Sequence, residues 1–144
     1  MEGRCVLFCK CRATPGGDPL SRRAALRTGG RQDRRAIACA ARHGVDIGGL
    51  RARQLQAVDF DRFDWILCAD EANLRDAARL ATAAQRGRLS LYLPWSGGQG
   101  AQAIPDPYTG GKDHFEQVWA MVDQAAQRAV ARLLHDADSG IIRP

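Results

Sequence analysis

The sequence predicts a single-domain α/β fold of three layers, a parallel sheet with helices on both faces. Three observations predict it. Short apolar runs without polar alternation recur along the chain, as strands do when both faces of a parallel sheet are covered. Helix-start signals and amphipathic stretches stand between those runs, the pattern of a βαβ chain. The length of 144 residues, 45% of them apolar, suffices for one core and argues against a second.

The elements follow in order. Cys5-Val6-Leu7-Phe8 is the first apolar run and is expected to be a buried strand. A polar stretch with Gly and Pro follows from Lys10 to Asp18. Asp18-Pro19 then supplies an N-cap and a first-turn proline for a helix over Leu20–Thr28, ended by Gly29. Asp33 caps a second helix to His43, with Ile37, Ala40 and Ala41 as its inner face and Gly44 at its end. Val45-Asp46-Ile47 leads into a loop over 48–54. Trp65-Ile66-Leu67-Cys68-Ala69 is apolar throughout and is expected to be a central strand.

Asp70 caps the next helix, which carries Leu74, Ala77, Ala78 and Ala81 on one side. Leu89 to Leu93 is expected to be a further strand, followed by a loop rich in Gly and Pro from Pro94 to Pro105. Asp113 with Glu116 three residues later suggests a capping box for the last helix. Phe115, Val118, Trp119, Val122, Ala126, Ala129 and Leu133 repeat along it at helical spacing. One domain over 1–134 is expected, its first 32 residues divergent, with a flexible tail over 135–144.

Composition narrows the function classes. No apolar run approaches the roughly 18 residues a membrane-spanning helix needs. Met1 to Lys10 reads as too short and too polar for a secretion signal, so a cytoplasmic protein is expected. The five cysteines, Cys5, Cys9, Cys11, Cys39 and Cys68, are an odd number at irregular positions, which suits reduced thiols. Cys39 and Cys68 lie in apolar runs and read as core residues. Net charge is +5, and from Arg22 to Arg53 nine arginines face only two acids, Asp33 and Asp46. That stretch reads either as a solvated basic face or as a surface attracting anions. Nucleic acid is not expected as a partner, because no recognition motif accompanies the charge.

The chemistry-bearing residues cluster where α/β sheets bind ligands, beyond the carboxyl ends of the strands. Cys9, Cys11 and Arg12 follow Phe8. A thiolate there, with a guanidinium and loop N–H groups around it, is an activated nucleophile, and the same donors hold a tetrahedral oxyanion. Ordinary cysteines at the end of a strand are the plainer reading. A soft-metal site of Cys5, Cys9 and Cys11 lacks a fourth ligand at normal spacing, so no metal is expected. Asp106 precedes Pro107, which holds it extended at a turn, and a carboxylate so placed suits general acid catalysis beside Tyr108. An Asp-Pro dipeptide alone is more often only a turn signal.

Three segments together resemble the low-molecular-weight protein tyrosine phosphatases. They are Asp33-Arg34-Arg35-Ala36 through Ile47 to Leu55; Asp59-Phe60 through Phe63-Asp64-Trp65-Ile66-Leu67-Cys68-Ala69-Asp70 to Asn73-Leu74; and Ile104-Pro105-Asp106-Pro107-Tyr108-Thr109-Gly110-Gly111 followed by Phe115-Glu116-Gln117-Val118. The resemblance spans residues 33 to 134, and its most specific part is the Asp-Pro-Tyr segment ahead of the terminal helix. It implies a phosphatase that hydrolyses phosphotyrosine proteins or small aryl phosphates through a phosphocysteine, with no metal or organic cofactor. Cys9 would be the nucleophile, Arg12 would hold the phosphate and Asp106 would serve as general acid and base. Cys11 and Tyr108 would line the substrate. Asp70 and Asn73 match a helix start, with a structural role. Leu50 and Thr109 stand where many members carry His and a second aromatic.

The front of the chain departs from the family. Two residues, Lys10 and Cys11, separate Cys9 from Arg12, where the family has five. So short a loop supplies fewer N–H donors to an anion and leaves the thiol nearer its free acidity. Aligned on the strand alone, Lys10 falls on the nucleophile position; aligned on Cys11-Arg12, Cys9 is the nearest thiol. The stretch holding the family's second strand has no counterpart, so that strand is expected to be missing. Two other activities fit the scaffold. One is a non-catalytic member that keeps the scaffold and binds a partner or an anion. The other is an arsenate reductase-like enzyme, which needs Cys39 or Cys68 within reach as a resolving thiol.

Overall fold

The computed structural model describes residues 6–9, 33–51 and 53–138. Among them the chain runs through β1 (Val6–Cys9), α1 (Arg34–Arg42), α2 (Asp59–Arg62), β2 (Trp65–Cys68) and α3 (Glu71–Leu80). A 3-10 turn over Gln85–Arg88 leads to β3 (Leu89–Leu91) and the one-turn helix α4 (Tyr92–Trp95). A second 3-10 turn, Pro107–Thr109, precedes the long helix α5 (Lys112–Asp138).

The three strands form one parallel sheet in the order β1-β2-β3. Val6 pairs with Trp65 and Cys9 with Cys68, while Ile66 pairs with Leu89 and Cys68 with Leu91. Side chains alternate across a strand, and here both faces are apolar. Ile66 and Cys68 pack with Leu55, Phe60, Ala77 and Ala81 on the face covered by α2 and α3. Leu67 points the other way, into Tyr92, Leu93, Trp95, Ala125 and Ala129 on the face covered by α4 and α5. Phe60 and Ile66 are fully buried and Leu67 almost so, and each such side chain contributes about 1.5–3 kcal/mol by leaving water. The α/β class with helices on both faces is therefore as expected.

Helix ends follow their caps. Asp33 accepts from Arg35 N at 2.8 Å and starts α1. Asp70 accepts from Asn73 N at 2.7 Å and starts α3, which is the structural role the sequence suggested for the pair. At the end of α1, Gly44 N bonds Ala41 O and Val45 N bonds Ala40 O. That closure needs a left-handed residue, which glycine supplies at φ +77°.

Several local expectations are corrected. β3 ends at Leu91 rather than Leu93, because Leu93-Pro94-Trp95 turns into α4, and proline is at home in a first helical turn. Ala41 is exposed, and Cys39 takes its place beside Ala40 on the inner face of α1. Asp113 lies inside the first turn of α5 and is not its cap; Glu116 reaches across to α1 instead. α5 continues past His135 to Asp138, and the rest of the stretch where a tail was expected lies outside the described residues. β1 ends on Cys9, one residue later than Phe8. The expected helix over Leu20–Thr28 and the loop over 10–18 lie outside the described residues.

Candidate active site

The turn that carries Asp106 is held from two sides, by the end of the central strand and by α1. Ile104 N donates to Ala69 O at 2.8 Å, fixing the segment just past the carboxyl end of β2. Pro107 then forces Asp106 into extended backbone, φ −82° and ψ 113°. The Asp106 carboxylate accepts from Tyr108 N at 3.0 Å, an Asx turn that orients the carboxyl group.

Arg35 on α1 holds the other side. Its guanidinium donates to Tyr108 O at 3.0 Å and to Gly110 O at 3.2 Å. It lies over the rings of Tyr108 and Phe115, 5.4 Å and 4.8 Å from their centroids, both within cation–π range. Asp33 grips the same guanidinium with both oxygens, at 2.8 Å and 3.1 Å. Those bonds, led by the side-chain one, hold the Asp33 carboxyl below its usual acidity range. A Cβ at Gly110 would meet the His114 side chain, so any larger residue beside this clamp requires that side chain to shift.

The candidate residues fall at different places. Asp106 is exposed, and Tyr108, 69% exposed, stands at the open edge of the turn. Cys9 closes β1 in register with Cys68, so its backbone reaches the same carboxyl edge that Ala69 and Ile104 define. Cys11 and Arg12 lie outside the described residues. Cys39 and Cys68 are the core thiols the sequence suggested, 2% and 0% exposed. Burial, with a smaller contribution from Asp70, pushes the Cys68 thiol up to about 11. A thiol so buried and so protonated is inert toward disulfide exchange, and the arsenate-reducing reading finds no support in it.

Among the described residues, several arginines of the basic stretch are exposed yet bonded to other parts of the chain. Arg35 serves the Asp106 turn, Arg42 pairs with Glu116, and Arg53 makes two bonds to Asp59 at 2.7 Å and 2.8 Å. Arg51 donates to Gly48 O and Leu50 O. The reading of this stretch as a purely solvated or anion-attracting face is thereby narrowed. The positioning role of Arg35 was not legible, because an arginine in a basic run gives no sign of a partner 73 residues away. Nor was the contact of Arg42 and His43 with Glu116 expected, although Cys39 and the capping His43 already stand four residues apart at the end of α1.

The order and geometry of these parts agree with comparisons to known proteins. The sequence profile described as "Low molecular weight phosphotyrosine protein phosphatase" matches residues 22–139. The pig low molecular weight phosphotyrosine protein phosphatase (Sus scrofa) is 40% identical over 88 residues, covering 60% of this chain and 55% of that protein. The chain thus spans little more than half the length of that curated relative. The crystal structure of the Erwinia amylovora tyrosine phosphatase amsI is similar with a TM-score of 0.66 and 31% identity, covering 74% of this chain and 68% of the other. Vibrio vulnificus Wzb, solved in complex with benzylphosphonate, gives a TM-score of 0.66 at 27% identity, covering 78% of this chain and 73% of the other. With a profile match across most of its length and the Asp106 turn seated at the carboxyl edge of a parallel sheet, the chain belongs to the low molecular weight phosphotyrosine protein phosphatase family.

Proposed function

We propose that this protein hydrolyses phosphotyrosine or small aryl phosphates through a phosphocysteine intermediate, in the cytosol. The observation that carries the reading is the doubly anchored Asp106 turn, which rests on the same edge of the sheet as the end of β1. In this reading Cys9 attacks phosphorus and the phenolate leaves. Asp106 protonates that phenolate, then takes a proton from the water that cleaves the phosphocysteine. Arg12 carries the negative charge of the transferring group, as a planar two-pronged donor suits phosphoryl oxygens. Cys11 and Tyr108 line the aryl group. The cytosolic setting is supported by the odd number of cysteines and by the free, buried Cys39 and Cys68. Among the described residues no helix is long and apolar enough to cross a membrane.

Hydrolysis of p-nitrophenyl phosphate by the purified chain is the test. Cys9→Ser is expected to abolish it, and Asp106→Asn to lower kcat by roughly 10²–10⁴-fold. Loss with Cys11→Ser while Cys9→Ser stays active would move the nucleophile. No hydrolysis by the unaltered chain would remove the enzymatic reading. The two-residue spacing between Cys9 and Arg12 favours a second reading in that event, a scaffold that binds an anion without turnover. Saturable tungstate binding by the inactive chain would identify it.

A further inference from the structure

A second cluster of reactive side chains lies in the seam between α1 and α5, apart from the Asp106 turn. Cys39 lies on α1 and His43, four residues on, caps its end, and Glu116 faces them from the start of α5. Cys39 Sγ, a ring nitrogen of His43 and a carboxylate oxygen of Glu116 all lie within 4.8 Å of one another. His43 Nε2 is 2.8 Å from Glu116 Oε2. Arg42 is bonded to the other oxygen, Oε1. Cys39 is buried at the floor of the cluster, while the side chains of His43 and Glu116 are 40% and 34% exposed above it. The His43 ring is stacked on Trp119 at 4.7 Å between centroids and 9° between planes, so its orientation is set by packing.

We propose that Cys39, His43 and Glu116 form a binding site for a borderline divalent cation, zinc being the best match, that staples α1 to α5. Thiolate, imidazole and carboxylate together are the ligand types zinc takes. With metal–ligand bonds of about 2.0–2.3 Å, ligand atoms around a tetrahedral zinc stand about 3.5 Å apart. Small side-chain rotations within the observed 4.8 Å reach that spacing. His43 and Glu116 Oε2 open slightly, and Arg42 keeps its bond to Oε1. Thiolate and carboxylate supply two negative charges to the ion, and Arg42 on Oε1 shares the carboxylate's. The fourth position faces solvent between the two half-exposed ligands, which also gives the ion its way in. On binding, the Cys39 S–H bond breaks, the sulfur binds the metal and the proton goes to solvent. His43 Nε2, whose N–H donates to Glu116 Oε2 in the metal-free chain, turns its lone pair to the ion as that proton moves to Nδ1. One proton therefore leaves per ion, and affinity rises with pH.

The test uses Co²⁺ as an absorbing substitute for zinc. The full chain carries Cys5→Ser, Cys9→Ser and Cys11→Ser, so that thiols near β1 do not compete. One equivalent of Co²⁺ is expected to produce a thiolate-to-cobalt charge-transfer band with the strong visible bands of tetrahedral cobalt. Cys39→Ser should remove the charge-transfer band, and His43→Gln and Glu116→Gln should each weaken binding about tenfold or more. Zn²⁺ should raise the thermal midpoint of the parent and not that of His43→Gln. No thiolate band at millimolar Co²⁺, or a band that persists in Cys39→Ser, would overturn the site. Unchanged affinity in both His43→Gln and Glu116→Gln would do the same. Those two half-exposed positions decide the matter if Cys39→Ser does not fold.

Discussion

Two arginine–carboxylate clamps sit on opposite faces of the sheet, and they hold by different physics. On the α2–α3 side, Asp59 is 1% exposed and takes both Arg53 nitrogens and the Gln56 N–H. On the α5 side, Glu116 takes Arg42 and His43 but is one-third exposed. The bonds from His43 and then Arg42 pull the Glu116 carboxyl down to about 2, whereas Asp59 is lowered chiefly by Arg53 against an opposing desolvation. Acidity alone would rank Glu116 as the stronger clamp. Solvent screening reverses that ranking, because exposed pairs give little net stability, while a buried carboxylate that loses its partner is left uncompensated. Strong bonds at the α1–α5 seam therefore fix geometry, and the pair with the buried Asp59 carboxylate on the other face bears on stability.

Three substitutions probe that contrast. Arg53→Ala is expected to have the largest effect, costing about 1–2 kcal/mol in urea unfolding at neutral pH, because it leaves the buried Asp59 carboxylate with only the Gln56 N–H as donor, while solvent screens the half-exposed Arg53. Asp59 is depressed below 3.8 in the folded chain, so its contribution is present above that value and fades as pH falls through it. The Arg53→Ala deficit should therefore shrink in acid, and a deficit independent of pH would mean the pair is not the cause.

Arg35→Ala comes next, and it should strike activity more than stability. Freeing the Asp106 turn is expected to lower kcat/KM for p-nitrophenyl phosphate about tenfold, with the thermal midpoint little changed. An equal loss of stability would place Arg35 with the structural clamp.

The smallest effect belongs to Glu116→Gln, visible only through its pH dependence. A carboxyl lowered from 4.5 to about 2 contributes stability above pH 4.5 that is lost between 4.5 and 2. The unaltered chain should lose thermal stability across that window more steeply than Glu116→Gln. Parallel curves for the two would show that solvent has screened the clamp completely.

The sequence made the layered fold legible because its signals are local. β2 reads as an apolar run, Asp33 and Asp70 cap their helices through neighbours two and three residues on, and Phe115 to Leu133 repeats with the helical period. The misreadings arose where one local signal competed with another. Leu93 continues an apolar run, yet Pro94 starts a helical turn. Asp113 and Glu116 have capping-box spacing, yet Glu116 found cations on α1. In the candidate site, Asp106 was legible from Asp-Pro-Tyr taken with its context. Arg35 was not, since its carbonyl partners, Tyr108 and Gly110, come close only once α1 and α5 pack.

The single bond from Ile104 N to Ala69 O gives the Asp106 turn an unusual standing in time as well as in space. Its donor belongs to a connecting loop, and its acceptor sits one residue beyond the central strand. The Ile104 amide proton is therefore guarded by the same opening events that release the sheet, rather than by the faster fluctuations of a surface loop. The segment that carries the acid of the proposed reaction is thereby tied, two residues ahead of Asp106, to the opening of the sheet itself.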